Sequence, residues 1–136
     1  MSSALEEQLL RHEGMRLDMY IDSVGVRTIG IGRNLEAVGL RNEAEARFLL
    51  RSDINAVRAE LRQQLPWFES LDPVRQQVLT NMAFNLGVRG LRNFSKTLAF
   101  VRTGRFSDAA DEMLRSQWAE QVGKRSEELS AMMEKG

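Results

Sequence analysis

The sequence predicts an α+β fold, mostly helical, with a small β-hairpin lobe, a helical lobe and a groove between them. Three observations carry that expectation. Apolar residues fall at helical spacing near the start, alternate with a period of two only around Met19–Gly32, and return to helical spacing from Asn42 onward. Glycine or proline stands at most of the points where the pattern changes. Hydrophobic residues make up 43% and charged residues 28% of 136, enough for one domain with a core or for two small lobes sharing a helix.

The elements follow in order. Ser3-Ala-Leu-Glu6 reads as a capping box, with Leu5, Leu9 and Leu10 at helical spacing behind it. Gly14 sits where a helix C-terminal glycine belongs, which makes Glu13 a last-turn residue. Met19–Asp22, the turn Ser23-Val24-Gly25, and Val26–Gly32 read as a short hairpin. In its second strand Val26, Thr28, Gly30 and Gly32 share one face, and Ile29 and Ile31 point the other way toward a small core. Glycines inside a strand weaken it, so two beside Thr28 point to close approach of another backbone or of a ligand, or to a plain twisted hairpin.

From Asn42 the chain is helical, with Asn42 as N-cap and Leu50, Ile54, Val57 and Leu61 as the buried stripe, closed by Pro66. Asp72-Pro73 restarts a helix, a capping carboxylate followed by proline in the first turn. Val74, Val78, Met82 and Leu86 form its inner face, and Gly87 stops it; Gly87–Gly90 is a tight connector or hinge. Helices over roughly Ser95–Thr103, Ser107–Ser116 and Lys124–Glu134 complete the chain.

Bulk properties narrow the function. Nineteen basic and nineteen acidic residues cancel, which argues against nucleic-acid binding as the main activity, although sixteen of the cations are arginines and a local basic face is open. Without cysteine there is no disulfide framework or thiol chemistry, and with His12 the only histidine nothing points to a zinc site. No apolar run reaches the length of a membrane span. The segment Met1–Gln8 has neither a basic nor an apolar stretch, so no signal peptide is expected.

The candidate chemistry lies in Glu13, Asp22 and Thr28. Two carboxylates in different settings are what glycosidic-bond cleavage requires, one holding a proton and the other handling water or developing positive charge. Thr28 adds a hydroxyl able to donate and accept. Taken alone, the residues leave the plainer roles open: a solvated last-turn acid, a turn former and a strand threonine. A lone helical histidine such as His12 is more often a surface or packing residue. Met82, Phe84 and Trp118 read as packing, and Trp67 suits either packing or stacking on a sugar.

With those residues in hand, the chain resembles the phage-type lysozymes of glycoside hydrolase family 24, the phage T4 lysozyme family. The matching text is Leu10-Arg-His-Glu13-Gly14, Tyr20-Ile-Asp22 and Thr28-Ile-Gly-Ile-Gly32, then Gly39-Leu-Arg-Asn-Glu43-Ala44 running into Leu49–Asp53. Ser70-Leu-Asp72, Asn81-Met-Ala-Phe84-Asn85-Leu-Gly87, Ser116-Gln-Trp118 and Gly123-Lys-Arg125 continue it in the family's order. The resemblance implies one lysozyme-like domain over 1–136. About 14–41 would form the small β-containing lobe, 1–13 and 65–136 the helical lobe, and 42–64 the connecting helix.

It further implies that Glu13 is the general acid and that Asp22 and Thr28 position or activate the attacking water. Phe84, Asn85, Thr97 and Arg125 would contact substrate, with Arg125 reaching back to the Glu13 region. The implied activity is an endolysin (muramidase) that hydrolyses, with inversion, the β-1,4 bond between N-acetylmuramic acid and N-acetylglucosamine in peptidoglycan. An inverting pair of carboxyls stands about 6.5–9.5 Å apart. No cofactor, metal, nucleic acid or stable membrane association is implied. The enzyme would be a monomer held in the host cytoplasm until a holin gives it access to the periplasm and cell wall. The alternatives on the same scaffold are a non-catalytic peptidoglycan-binding module and a lytic transglycosylase. Two departures stand out. Arg33 occupies a position where the family often has histidine, so a histidine-based ion pair is replaced or absent. The connection from Arg33 to Gly39 is also short, which trims the smaller lobe.

Overall fold

The structure, a computed structural model, describes residues 3–136; Met1 and Ser2, the start of the segment read as lacking a signal peptide, lie outside them. The chain forms α1 (Ala4–Glu13), a three-stranded antiparallel sheet of β1 (Arg16–Ile21), β2 (Arg27–Gly30) and β3 (Arg33–Asn34), and then α2 (Glu43–Gln64). A 3-10 turn at Phe68–Ser70 leads to α3 (Pro73–Arg92), α4 (Ser95–Arg102), α5 (Phe106–Leu114), α6 (Gln117–Val122) and α7 (Lys124–Lys135). The fold is therefore α+β and mostly helical, with one small sheet. Two compact units divide inside α2, the first running to Leu49 and the second from Leu50 to Gly136. Among the described residues no helix is long and apolar enough to cross a membrane.

In the first unit Ser3 caps α1 as one half of the expected capping box, its Oγ accepting from the Glu6 N–H at 3.0 Å, and the Gly14 N–H caps the Leu10 carbonyl at 2.8 Å. The sheet differs from a simple hairpin. β1 begins three residues before Met19, and a third strand of only two residues pairs Thr28 with Asn34 and Ile29 with Arg33. Such a short strand carries no propensity signal of its own and exists because β2 offers it partners. Gly32 consequently lies in the turn between β2 and β3 rather than within a strand, and Ile31 leaves the core face with 45% exposure. The buried residue of the central strand is Thr28, at 4%. Arg16 pairs with Gly30 and Tyr20 with Thr28, so β1 advances four residues while β2 advances two. That bulge bends β1 between Glu13 and Asp22.

In the second unit the apolar stripes meet. Leu61 of α2, Phe68, Val78, Leu79 and Met82 of α3, Leu91, Val101 of α4, Met113 of α5 and Met133 of α7 are all nearly or fully buried. Each such side chain contributes roughly 1.5–3 kcal/mol on leaving water. The predicted stripe of α2 is graded: Leu61 is buried, Val57 and Ile54 half-buried and Leu50 exposed. Asn42 caps α2 through the Glu45 N–H at 2.9 Å, and Asp72 caps α3 through the Arg75 N–H at 3.0 Å. Gly87 interrupts α3 with φ 77° and ψ 155°, a conformation in which an L side chain is strained, so helical geometry breaks there and resumes to Arg92. α6 was not expected: six residues are too few to show periodicity, and its one local signal is the Ser116 cap on the Ala119 N–H.

Arg75 ties three elements of this unit together. Its Nε donates to Met133 O at 2.7 Å and Nη2 to Glu134 O at 2.9 Å, satisfying carbonyls at the end of α7. Nη1 pairs with Asp72 at 3.1 Å, and the guanidinium lies 3.5 Å from the centre of the Phe106 ring. Burial alone would raise the Asp72 pKa, but the Arg75 N–H and guanidinium outweigh it and hold the carboxyl below its ordinary value.

Two expectations follow. Arg75→Ala should destabilise the protein by about 2–4 kcal/mol in urea unfolding, since it strands helix-end carbonyls and removes charge-assisted bonds. Arg75→Lys should recover less than half of that, because an ammonium cannot reproduce the planar fork. A depressed folded-state pKa means that the ionised Asp72 stabilises the fold above its ordinary value of 3.8, and that this contribution is lost as pH falls through the folded value. Asp72→Asn keeps the cap without the titration, so its acid-unfolding curve should be shallower below about pH 4 than that of wild type.

Candidate active site

Glu13 ends α1, and Gly14, with φ 73°, turns the chain into β1. The Glu13 carboxyl lies against the backbone of Gly32: a Cβ built at Gly32 would stand 2.7 Å from Oε2 and 2.9 Å from Cδ. The residue itself is exposed. A glycine in the β2–β3 turn thus brings the end of the first helix onto the head of the sheet. The glycines beside Thr28 point in the sequence to another backbone or a ligand, whereas the group that approaches Gly32 is a side chain, the Glu13 carboxyl.

Asp22 follows β1 at its other end and builds the turn to β2. Its Oδ1 accepts from the Val24 N–H at 2.9 Å and the Val26 N–H at 2.8 Å, while its own N–H donates to Val26 O at 2.9 Å. One carboxylate oxygen is therefore held by the backbone in an Asx-type arrangement that fixes the plane of the group. Among the described residues Oδ2 has no hydrogen-bond donor. Asp22 is both turn former and a candidate for chemistry, with one oxygen in each role.

Thr28 is joined to Asp22 through the same residue. Its Oγ1 donates to Val26 O at 2.9 Å, so one carbonyl receives both the Asp22 N–H and the Thr28 hydroxyl. The hydroxyl proton is committed, which leaves the Thr28 oxygen as an acceptor toward water rather than a donor and acceptor at once. Val26 was not legible as a participant, since a backbone carbonyl carries no side-chain signal.

Arg33, the departure from the family pattern, makes an ion pair of its own. Its Nη1 and Nη2 donate to the two Glu45 oxygens at 3.1 and 3.3 Å, and Nη1 also donates to Gly39 O at 3.0 Å. This fork joins β3 and the short connection to the first turn of α2. The Arg41 N–H on Glu45 at 3.0 Å lowers the Glu45 pKa most, desolvation opposes it, and Arg33 lowers it further, for a net value below the ordinary 4.5. Nothing in the spacing of Arg33 and Glu45 announced the pair.

The second unit holds the remaining candidates. Phe84 is 44% exposed instead of packed in the core, because Met82 and Ala83 take the buried face of α3 and a residue two positions on from Met82 falls on the other side of the helix. With Arg125 it lines one cavity of about 290 Å³ beside Ile54, Arg58, Thr80 and Asn81. The Arg125 guanidinium donates to Asn81 Oδ1 from Nε at 3.0 Å and from Nη2 at 2.7 Å. Asn85 is exposed, and its Oδ1 accepts from Trp118 Nε1 at 2.9 Å, which leaves its amide NH₂ for other partners. Trp118 itself is packed, edge-on to Phe94 at 6.0 Å. Thr97 is buried at 3% and lines a different cavity, of about 340 Å³, beside Phe94, Glu112 and Gln117. Phe84 and Arg125 are thus brought together, and Thr97 lies apart from them.

The ion pair yields a direct expectation. Titrated by carbon NMR in an Arg33→Met variant, the Glu45 carboxyl should move to a higher pKa yet stay below its ordinary value, because the Arg41 N–H remains. In wild type, the stabilisation from ionised Glu45 is present above pH 4.5 and fades as pH falls through the lowered value. An unmoved Glu45 pKa in the variant contradicts the Arg33 contribution.

The sequence profile of the phage lysozyme family matches residues 10–134. Over an alignment of 164 positions the chain is 26% identical to "Probable T4-type lysozyme 1" of Dictyostelium discoideum, covering all of this chain and 96% of that protein. It is 28% identical over 165 positions to "Probable T4-type lysozyme 2" of the same organism, with the same coverage. Against the "Pre-baseplate central spike protein Gp5" of Enterobacteria phage T4 it is 26% identical over 157 positions, covering 96% of this chain and 27% of that one. These alignments are longer than the chain, so both slime-mould relatives carry residues that it lacks. The match runs from just ahead of Glu13 through Arg125, and the chain belongs to the phage lysozyme family, the muramidase-type glycoside hydrolases whose substrate is peptidoglycan.

Proposed function

We propose that this enzyme is an endolysin that cleaves the β-1,4 bond between N-acetylmuramic acid and N-acetylglucosamine with inversion at the anomeric carbon. What supports this most is a Glu13 carboxyl that lies against Gly32 in the β2–β3 turn, together with an Asp22 Oδ2 that has no hydrogen-bond donor among the described residues. Glu13 gives its proton to the leaving glycosidic oxygen as the bond to the muramic acid anomeric carbon breaks. Water attacks that carbon from the opposite face, and Asp22 Oδ2 takes the water's proton. Thr28, with its hydroxyl proton on Val26 O, orients the water by accepting its second hydrogen. The products are a free hydroxyl on N-acetylglucosamine and a reducing muramic acid end.

In the same reading Phe84 offers an exposed ring to a sugar face, the Asn85 amide and the Arg125 guanidinium donate to sugar oxygens, and Thr97 shapes the wall of its cavity. The enzyme acts as a monomer in host lysis, gathering in the cytoplasm until a holin opens the way to the wall.

The test is clearing of purified, outer-membrane-free peptidoglycan, with product ends identified by mass spectrometry. Wild type should release reducing muramic acid ends, while Glu13→Gln folds normally and loses about 10²–10⁴-fold of the rate. Asp22→Asn retains the Oδ1 acceptor of the turn, so it should also fold normally and lose activity on a similar scale. Anhydro ends would point to a lytic transglycosylase, and wall binding without cleavage to a binding module. Full activity in Glu13→Gln would reject the assigned acid.

A further inference from the structure

We propose that Gly32 is a positioning residue for the catalytic acid: the space left by its missing side chain is the seat of the Glu13 carboxyl. This rests on the reading of Glu13 as general acid. A Cβ at Gly32 would stand 2.7 Å from Oε2, 2.9 Å from Cδ and 3.0 Å from Cγ of Glu13, closer than real Cβ contacts come. The crowded atoms are the far end of a flexible side chain, so the fold can yield by moving the carboxyl instead of the backbone.

Gly30 supplies an internal comparison. Its φ is +68° and that of Gly32 is +66°, so alanine at either place meets a similar left-handed penalty. A Cβ at Gly30, however, has nothing within 4 Å. Of these two left-handed glycines, only Gly32 would crowd Glu13 if it carried a Cβ. A displaced acid loses its alignment with the leaving oxygen, and displacement of about 1 Å costs on the order of 10²-fold in rate. Substrate binding elsewhere along the glycan is untouched, so the loss falls on kcat and not on KM.

The experiment compares Gly32→Ala with Gly30→Ala on a soluble peptidoglycan fragment and follows the Glu13 carboxyl carbon by NMR, its resonance identified by its loss in Glu13→Gln. Gly32→Ala should show a kcat at least about tenfold below that of Gly30→Ala with KM within about twofold, and comparable melting temperatures. The Glu13 resonance should move in Gly32→Ala and not in Gly30→Ala. Gly32→Asn, which places the same Cβ with less backbone strain, should reproduce the loss if the alanine variant is too unstable to study. Equal kcat in the two alanine variants, or an unmoved Glu13 resonance, overturns the proposal. Should Glu13→Gln prove fully active, the acid assignment fails instead, and the resonance alone then decides whether Gly32 seats the carboxyl.

Discussion

The first unit has almost no interior, and its architecture answers that constraint. Among its described residues only Thr28 is buried, whereas Leu17, Val24 and Phe48 are among many apolar side chains left in solvent. A segment of this size cannot bury enough apolar surface to offset the entropy of ordering its loops. Directed polar contacts take over that work. Asp22 closes the β1–β2 turn, Asn34 Oδ1 accepts from the N–H groups of Glu36 and Ala37, Glu36 accepts from the Arg27 N–H, and Arg33 clamps Glu45.

A consequence is that the side chains proposed for chemistry also hold the structure. Asp22 forms its turn with one oxygen, Thr28 anchors its hydroxyl proton on Val26 O, and that carbonyl serves both. The site is held where hydrogen bonds rather than packing set positions, and such bonds fix orientation more sharply than they add stability. Arg33 adds an ion pair within the same unit. Its planar guanidinium ties the short connection to α2 with two parallel bonds.

The second unit works differently. Its core joins α2 through α7, and among its buried hydroxyls Ser126 donates to Gly123 O while Ser130 reaches from α7 to Ala110 O of α5. Packed helices give Phe84, Asn85 and Arg125 stable platforms, and each is braced by a partner or neighbour within the unit. Arg75 closes the far end of the same assembly by satisfying carbonyls that α7 could not satisfy itself. Arg58 Nε is the one buried side-chain polar atom among the described residues without a hydrogen bond.

Local signals made much of this legible in the sequence. Ser3, Asn42 and Asp72 cap helices because their side-chain oxygens reach backbone N–H groups a turn away, and Gly14 and Gly87 break helices because only glycine takes those dihedrals cheaply. Periodicity located Val78 and Met82 in the core, and the ordered motifs around Glu13, Asp22 and Thr28 identified the family. What only the tertiary structure decided depends on groups far apart in the chain. The two-residue strand Arg33–Asn34, the Arg33–Glu45 fork, the reach of Arg75 to α7 and the contact between Glu13 and Gly32 leave no periodic or propensity mark. Short-range rules read conformation from neighbouring residues, whereas these contacts exist only once the chain has closed its turns and brought distant partners within hydrogen-bonding or van der Waals reach.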